Sequence, residues 1–404
     1  MKKFITFLRK TLIISVFFSV LLGIVFGQFA PFWFVRIFTT FNVFFSSILS
    51  FTVPLLILAL ITGSIAETDR NAGKMLIWTI ALAYVSTVLA GIFTYFVADL
   101  SFPGIVTMHA NDNLTSHKIP EGVLDPYFKI DFPPVMDTMS SLLLAFILGF
   151  AIVKFNHHAI KQGVIELKDV VMMIVSDIIL PLLPLYIFGV FQKMTVSGEM
   201  DIIVNIYLKV ILIMLAIFVL WVLIQYVIAG IVSKQNPLKA LWKMMPALLT
   251  ALASSSSAAT LPVTLRCAQK MNVRKNVIDF VIPMCANIHL SGAAVRTVSL
   301  AIATMLMFQQ PFTFGLFFNF ILIFSITVLA APGIPGGVIM AAAGLIQSML
   351  GFNDQMIALM ITLSIALDSL GTAVNVVGDG ALMLIVNKVT EHPETSIQPQ
   401  PTNR

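Results

Sequence analysis

Apolar runs recur along the whole of this 404-residue chain, and most are close to the twenty residues needed to cross about 30 Å of hydrocarbon. They predict helical spans at about 11–35, 38–63, 74–98, 139–155, 168–192 and 202–232, then a denser stretch from about 240 to 388. One long connection, 99–137, contains Pro120, Pro126, Pro133 and Pro134 and reads as irregular backbone. Pro54, Pro181 and Pro184 fall inside apolar runs, where membrane helices accept proline as a kink.

The pattern is interrupted between Val277 and Ala381. Asp279, His289, Arg296, Asp354, Asp368 and Asp379 sit among apolar neighbours, and Gly333-Ile334-Pro335-Gly336-Gly337 breaks a hydrophobic region. A charge in hydrocarbon costs at least about 2.5 kcal/mol. Non-helical backbone at membrane depth is tolerated only where it is buried in protein or lines a cavity. A chain that keeps both features most simply does so to bind and move something polar, which makes transport the leading functional class.

Composition agrees. The chain is 58% hydrophobic and 11% charged, against about 25% charged in soluble domains, so an all-α integral membrane protein is expected. The net charge of +5 does not point to nucleic acid, because the basic residues sit in loops. Lys2, Lys3, Arg9, Lys10, Arg70, Lys74, Lys154, Lys161, Lys168, Lys234, Lys239 and Lys243 fall on one side, which places both termini in the cytoplasm and 99–137 outside. The first run is too long for the core of a signal peptide. Cys267 and Cys285, in apolar surroundings, read as packing residues, and the polar tail 391–404 reads as disordered.

Two stretches read as turns at depth. Ser254-Ser255-Ser256-Ser257 is a dense cluster of hydroxyls and amides, fitting either a helix-to-helix turn whose helix-end amides hold a carboxylate or small-residue helix packing. Gly333–Gly337, flanked by apolar runs, reads as a re-entrant tip. Asp368, Thr372 and Asn375 are four and seven apart, so one helical face presents all three, and Asp379 continues it.

The order of these motifs carries a resemblance. The serine turn with Thr260-Leu261-Pro262-Val263-Thr264, then Asn287 to Gly292, then Gly333-Ile334-Pro335-Gly336, then Asp368 to Asp379 resembles the dicarboxylate/amino acid:cation symporters, the glutamate transporter family. Val53-Pro54 fits as well. The resemblance covers nearly the whole chain and is strongest from about 245 to 388. It implies eight transmembrane helices, two re-entrant hairpins, inverted repeats, a homotrimer and an elevator mechanism. The implied division is scaffold helices one and two at 1–73, then helix three of the transport domain with the extracellular segment at 74–138. Scaffold helices four and five with transport-domain helix six follow at 139–237, and the core transport domain at 238–390. By position it also implies that Ser255, Ser256 and Ser257 tip the first hairpin and that Gly333, Ile334, Pro335 and Gly336 tip the second, the outer gate. Asp368 is implied to hold a substrate ammonium, Thr372 and Asn375 to contact substrate, and Asp379 to bind sodium, the one expected metal contact. His289, Ser291 and Asn375 join Asp379 at cation-coupling positions.

Departures from the family pattern matter as much. The arginine expected on the eighth helix is Gly371, and the hairpin alternative is Ser255. The seventh-helix Asn-Met-Asp-Gly-Thr motif reads His289-Leu290-Ser291-Gly292-Ala293, which loses an acidic ligand. Ala83 and Tyr84 stand where a Thr-Ser pair is normal, and Ser364 replaces an earlier aspartate. A hard cation wants several oxygen ligands, so three-sodium coupling is not expected. Arg296, where the family is uncharged, either clamps a substrate carboxylate or pairs permanently with Asp368 or another internal aspartate. His289 either shares a coupling proton with Asp379 or donates, neutral, to a backbone carbonyl.

The expectation is a multi-pass symporter of the cytoplasmic (inner) membrane that imports an amino acid or small dicarboxylate with a proton or sodium and no cofactor. The alternatives are a sodium-driven glutamate/aspartate symporter and an anion-conducting channel on the same scaffold. An intramembrane enzyme is not expected, because His289 and Ser291 are two apart and would not face each other on a regular helix.

Overall fold

The computed structural model describes residues 12–66, 73–104, 123–130, 132–155, 158–198, 200–329, 331 and 336–390. The tail 391–404, residues 105–122 and 131 of the 99–137 connection, and the candidate residues Gly333, Ile334 and Pro335 lie outside the described residues.

Every regular element among the described residues is helical. In chain order they are α1 (Leu12–Gly27), α2 (Phe32–Ala66), α3 (Gly73–Ser101), α4 (Thr138–Phe155), α5 (His158–Ile174), α6 (Leu180–Val196), α7 (Met200–Ser233), α8 (Pro237–Ser254), α9 (Ser257–Ala268), α10 (Lys275–Ile288), α11 (Ser291–Met307), α12 (Phe314–Val328), α13 (Gly337–Leu350), α14 (Asp354–Ala366) and α15 (Asp368–Val389). Five uninterrupted or nearly uninterrupted stretches among them are long and apolar enough to cross a membrane: 75–101, 159–196, 205–233, 275–307 and 368–389.

Two boundaries differ from the sequence expectation. The first break falls at residues 28–31, not between 35 and 38. Arg36 marks no span end. It lies within α2, where its Nε donates to the Asp125 carbonyl at 2.9 Å and its guanidinium sits 4.2 Å over the Tyr127 ring. Pro31, lacking an N–H, suits the start of a helix. The fifth span is also longer than 168–192: α5 and α6 join through a π-helical segment, Val175–Ile179, that carries Asp177 on an exposed face. Cys267 and Cys285 are free and buried.

Packing sorts the helices into two groups. α1 packs on α6, and α2 on α4, α5 and α6. In the other group α3, α7, α8 and α10 all pack on α15 or on its partner α11. The groups meet where α13 touches α2 and α4 and where α14 touches α1 and α6. One motif occurs twice in the second group: a two-helix hairpin followed by a helix broken in its middle, first as α8–α9 with α10–α11, then as α12–α13 with α14–α15. α11 and α15 are buried along almost their whole length, so their polar side chains face the protein interior.

Candidate functional site

Both hairpin ends and both helix breaks converge on one cavity. α8 ends at Ser254, and Ser255 turns the chain in a left-handed conformation (φ 51°) that few non-glycine residues adopt. Ser256 then caps α9, its Oγ accepting from the Ala259 N–H at 3.2 Å. Ser254 Oγ lies 3.0 Å from Thr260 Oγ1 and braces the turn from inside. On the other hairpin, Gly336 in the left-handed region (φ 76°) starts α13. The cavity is lined by Ser255, Ser256 and Ser257 from the first hairpin and Ala331 and Val338 from the second. Asn287, Leu290, Ala293 and Arg296 line it from the first broken helix, and Asp368, Gly371, Thr372 and Asn375 from the second. It encloses about 460 Å³ of empty space, its open mouth included.

Charge is concentrated on one pair there. Arg296 is 1% exposed and Asp368 6%. Arg296 Nη1 donates to Asp368 Oδ1, and the Gly336 N–H donates to Asp368 Oδ2 at 3.1 Å. Arg296 Nε and Nη2 are buried without a hydrogen-bond partner among the described residues. The guanidinium lies beside Gly371, where an added Cβ would stand 3.4 Å from Nη1. A side chain at position 371 on α15 that extends beyond Cβ would compete for space with the one arriving from α11.

The two broken helices cross nearby. The Gly292 N–H donates to Asn375 Oδ1 at 2.7 Å, which satisfies one of the free donors at the start of α11. A Cβ at Gly292 would come within 2.3 Å of the Gly371 carbonyl oxygen, so only glycine fits.

Behind the crossing lies a second polar cluster. His289, left outside the helices by the break, places Nδ1 3.0 Å from Asp379 Oδ1 and Nε2 3.0 Å from Ser86 Oγ. Gln225 Nε2 from α7 reaches Ser86 Oγ at 3.0 Å, His289 Nε2 at 3.3 Å and Ser291 Oγ at 3.3 Å. Because Asp379 faces Nδ1, a neutral His289 carries its proton there and accepts at Nε2. Asp379 Oδ2 and Gln225 Oε1 are buried without a partner among the described residues, so the cluster has two acceptor oxygens to spare.

The candidates thus divide between two places. Ser255, Ser256, Ser257, Arg296, Asp368, Thr372 and Asn375 share the cavity, and Gly336 reaches it through Asp368. His289, Ser291 and Asp379 lie behind it; Asp379 continues the α15 face but does not line the cavity. The spacing argument that kept His289 and Ser291 apart holds for a regular helix, whereas the break at 289–290 lets Gln225 bridge them. Asp279 and Asp354 are exposed and belong to neither place. Ala83 is buried, Tyr84 points to the Leu322 carbonyl at 3.5 Å, and Ser364 Oγ is buried without a partner among the described residues.

Sequence reasoning missed Gln225, Ser86 and the Gly292–Gly371 crossing. Gln225 is an uncharged amide alone in an apolar run and signalled its place. Ser86 resembles any helix serine, and the crossing exists only in three dimensions.

A family model described as the sodium:dicarboxylate symporter family matches residues 12–389. The serine/threonine transporter SstT of Acinetobacter baylyi is 24% identical over 95% of this chain and 98% of its own length. Excitatory amino acid transporter 3 of Oryctolagus cuniculus is 33% identical over 40% of this chain and 31% of its own, and excitatory amino acid transporter 1 of Homo sapiens is 35% identical over 40% and 30%. The chain thus spans about a third of the length of these excitatory transporters.

Proposed function

The chain belongs to the sodium:dicarboxylate symporter family, and on that premise we propose that it imports an amino acid across the cytoplasmic membrane by proton-coupled symport. The carrying observation is the buried cavity between the two hairpin ends, with the Asp368 carboxylate inside it. The ammonium of an amino acid suits that carboxylate. The first-hairpin turn adds hydroxyls and the start of α9, which favours a carboxylate. The full-length likeness to a serine/threonine transporter supports a small substrate. A small dicarboxylate is the second reading, favoured by the unpartnered Nε and Nη2 of Arg296, which suit bidentate carboxylate binding.

In this reading α1, α2 and α4–α6 form the scaffold of a homotrimer. α3 and α7–α15 move against it as an elevator, and the α12–α13 hairpin acts as the outer gate. Substrate drives the cycle only through its different affinities for the states. The coupling cation binds at His289 and Asp379. A proton fits the histidine–carboxylate pair. Sodium at Asp379 Oδ2 and Gln225 Oε1 is the competing reading, favoured by those unpartnered oxygens.

The test is uptake into proteoliposomes with external sodium replaced by choline at a fixed inward proton gradient. Uptake should persist and should collapse with a protonophore. Strict sodium dependence refutes the proton, and electrodiffusion of anions without substrate exchange refutes symport.

A further inference from the structure

The cavity holds a cation of the chain itself bound to its acid. Arg296 and Asp368 are the charged side chains among the described residues lining it. One oxygen of Asp368 accepts from Arg296 Nη1 and the other from the Gly336 N–H at the start of the gate helix α13. Three moving parts, α11, α15 and the second hairpin, are thereby tied through one carboxylate. Gly371 leaves the space in which the guanidinium lies.

We infer that Arg296 is a tethered counter-cation: in the empty transporter its guanidinium occupies the place on Asp368 that a substrate's ammonium takes when bound, and so lets the second hairpin close without substrate. This rests on the amino-acid symporter reading above. A symporter must return empty through the membrane, and a bare buried carboxylate opposes that step because removing one partner of a buried pair leaves an uncompensated charge. With Arg296 in place, Asp368 is paired and still accepts from Gly336, so the hairpin stays pinned. An arriving amino acid exchanges one cation for another, and the Gly336 contact survives the exchange. Arg296 is then a competitor of the substrate. A carboxylate clamp would behave oppositely, since its loss weakens binding.

The experiment compares wild type and Arg296→Gln in proteoliposomes, using whichever of radiolabelled L-serine, L-threonine, L-alanine or L-aspartate the wild type accumulates. Net uptake needs the empty return, whereas exchange against internal substrate does not. The expected result is a tenfold or greater loss of net uptake, with exchange per folded transporter falling at least threefold less than net uptake and its half-saturating concentration lowered at least threefold. Arg296→Lys, which keeps the charge, should recover net uptake. Parallel loss of uptake and exchange, or no loss of either, overturns the inference.

Hairpin closure gives an independent reading. Val338 lines the cavity on α13, and the native Cys267 and Cys285 are buried. Val338→Cys should react slowly with a membrane-impermeant thiol reagent in the substrate-free Arg296 protein, and at least fivefold faster after Arg296→Gln. If Arg296→Gln does not fold, the first half still decides: fast labelling that substrate suppresses shows an open empty site and overturns the inference. A wild type that accumulates none of the four amino acids removes the amino-acid reading instead, while slow labelling would still show closure without substrate.

Discussion

Replacing Gly292 with alanine tests the crossing on which both polar clusters depend. The new Cβ would stand 2.3 Å from the Gly371 carbonyl oxygen and 2.8 Å from Val374 Cβ, where ordinary contact begins near 3.4 Å. Neither obstacle is the tip of a flexible side chain, so α11 and α15 must part by about 1 Å, and forcing groups into a packed core costs roughly 1–3 kcal/mol. Parting them also stretches the 2.7 Å bond from the Gly292 N–H to Asn375, worth about 1 kcal/mol. The two terms give a loss of about 2–4 kcal/mol, or several degrees in melting temperature. The assay is thermal unfolding of purified protein in detergent beside uptake in proteoliposomes, with uptake expected to fall to background. Gly163→Ala and Gly315→Ala serve as controls, since nothing lies within 4 Å of a Cβ at either position. A Gly292→Ala protein that melts within 1 °C of wild type and transports normally would refute the reasoning.

Three more substitutions probe the clusters separately. Arg296→Met and Asp368→Asn should each destabilise by about 3–5 kcal/mol, because each leaves a buried charge alone, while the double variant loses much less than their sum; additive losses in thermal unfolding would show that the two residues do not act as a pair. Gly378→Ala places a Cβ 2.5 Å from His289 Cε1 and 2.9 Å from Gln225 Oε1; it should abolish proton-driven uptake yet keep the substrate-induced rise in melting temperature, and unchanged proton-driven uptake would place coupling elsewhere.

The fold was largely legible because a bilayer constrains sequence strongly. Runs of apolar residues locate α3, α4 and α7 to within a few residues, and the serine and glycine-proline turns mark two breaks in the denser carboxyl-terminal stretch, whose individual helices they do not separate. The break expected between 35 and 38 coincides with a charge inside an apolar run, Arg36, which the 123–130 segment satisfies through Asp125 and Tyr127. The site was legible where spacing along one helix sufficed, as for Asp368, Thr372 and Asn375, which share the cavity. Two pairings between helices, Arg296 with Asp368 and His289 with Asp379, could be offered as alternatives because buried charges need partners. The uncharged partners were illegible: nothing in the residues around Ser86 or Gln225 says that they meet at His289.

The pairing of Arg296 with Asp368 bears on what must cross the membrane. The buried charged groups among the described residues are Arg296, Asp368 and Asp379, with His289 beside the last. Arg296 and Asp368 cancel. With His289 neutral, one negative charge remains, on Asp379. Several buried carboxylates would demand several cations to make the moving body neutral. In the proposed symport one would be enough, whether a proton on the His289–Asp379 pair or a single sodium ion on its spare oxygens. Serine at 291 and 364 and arginine at 296 act in the same direction, each lowering the negative charge of this part of the chain. Removing the excess charge from water without a cation is the costly step, and under the proposed elevator motion that cost would make movement of the loaded body conditional on the ion. One coupling cation per cycle is therefore the expected outcome of ion-flux measurements on the proposed symporter, and two or more per substrate would refute the pairing of Arg296 with Asp368 as what sets the count.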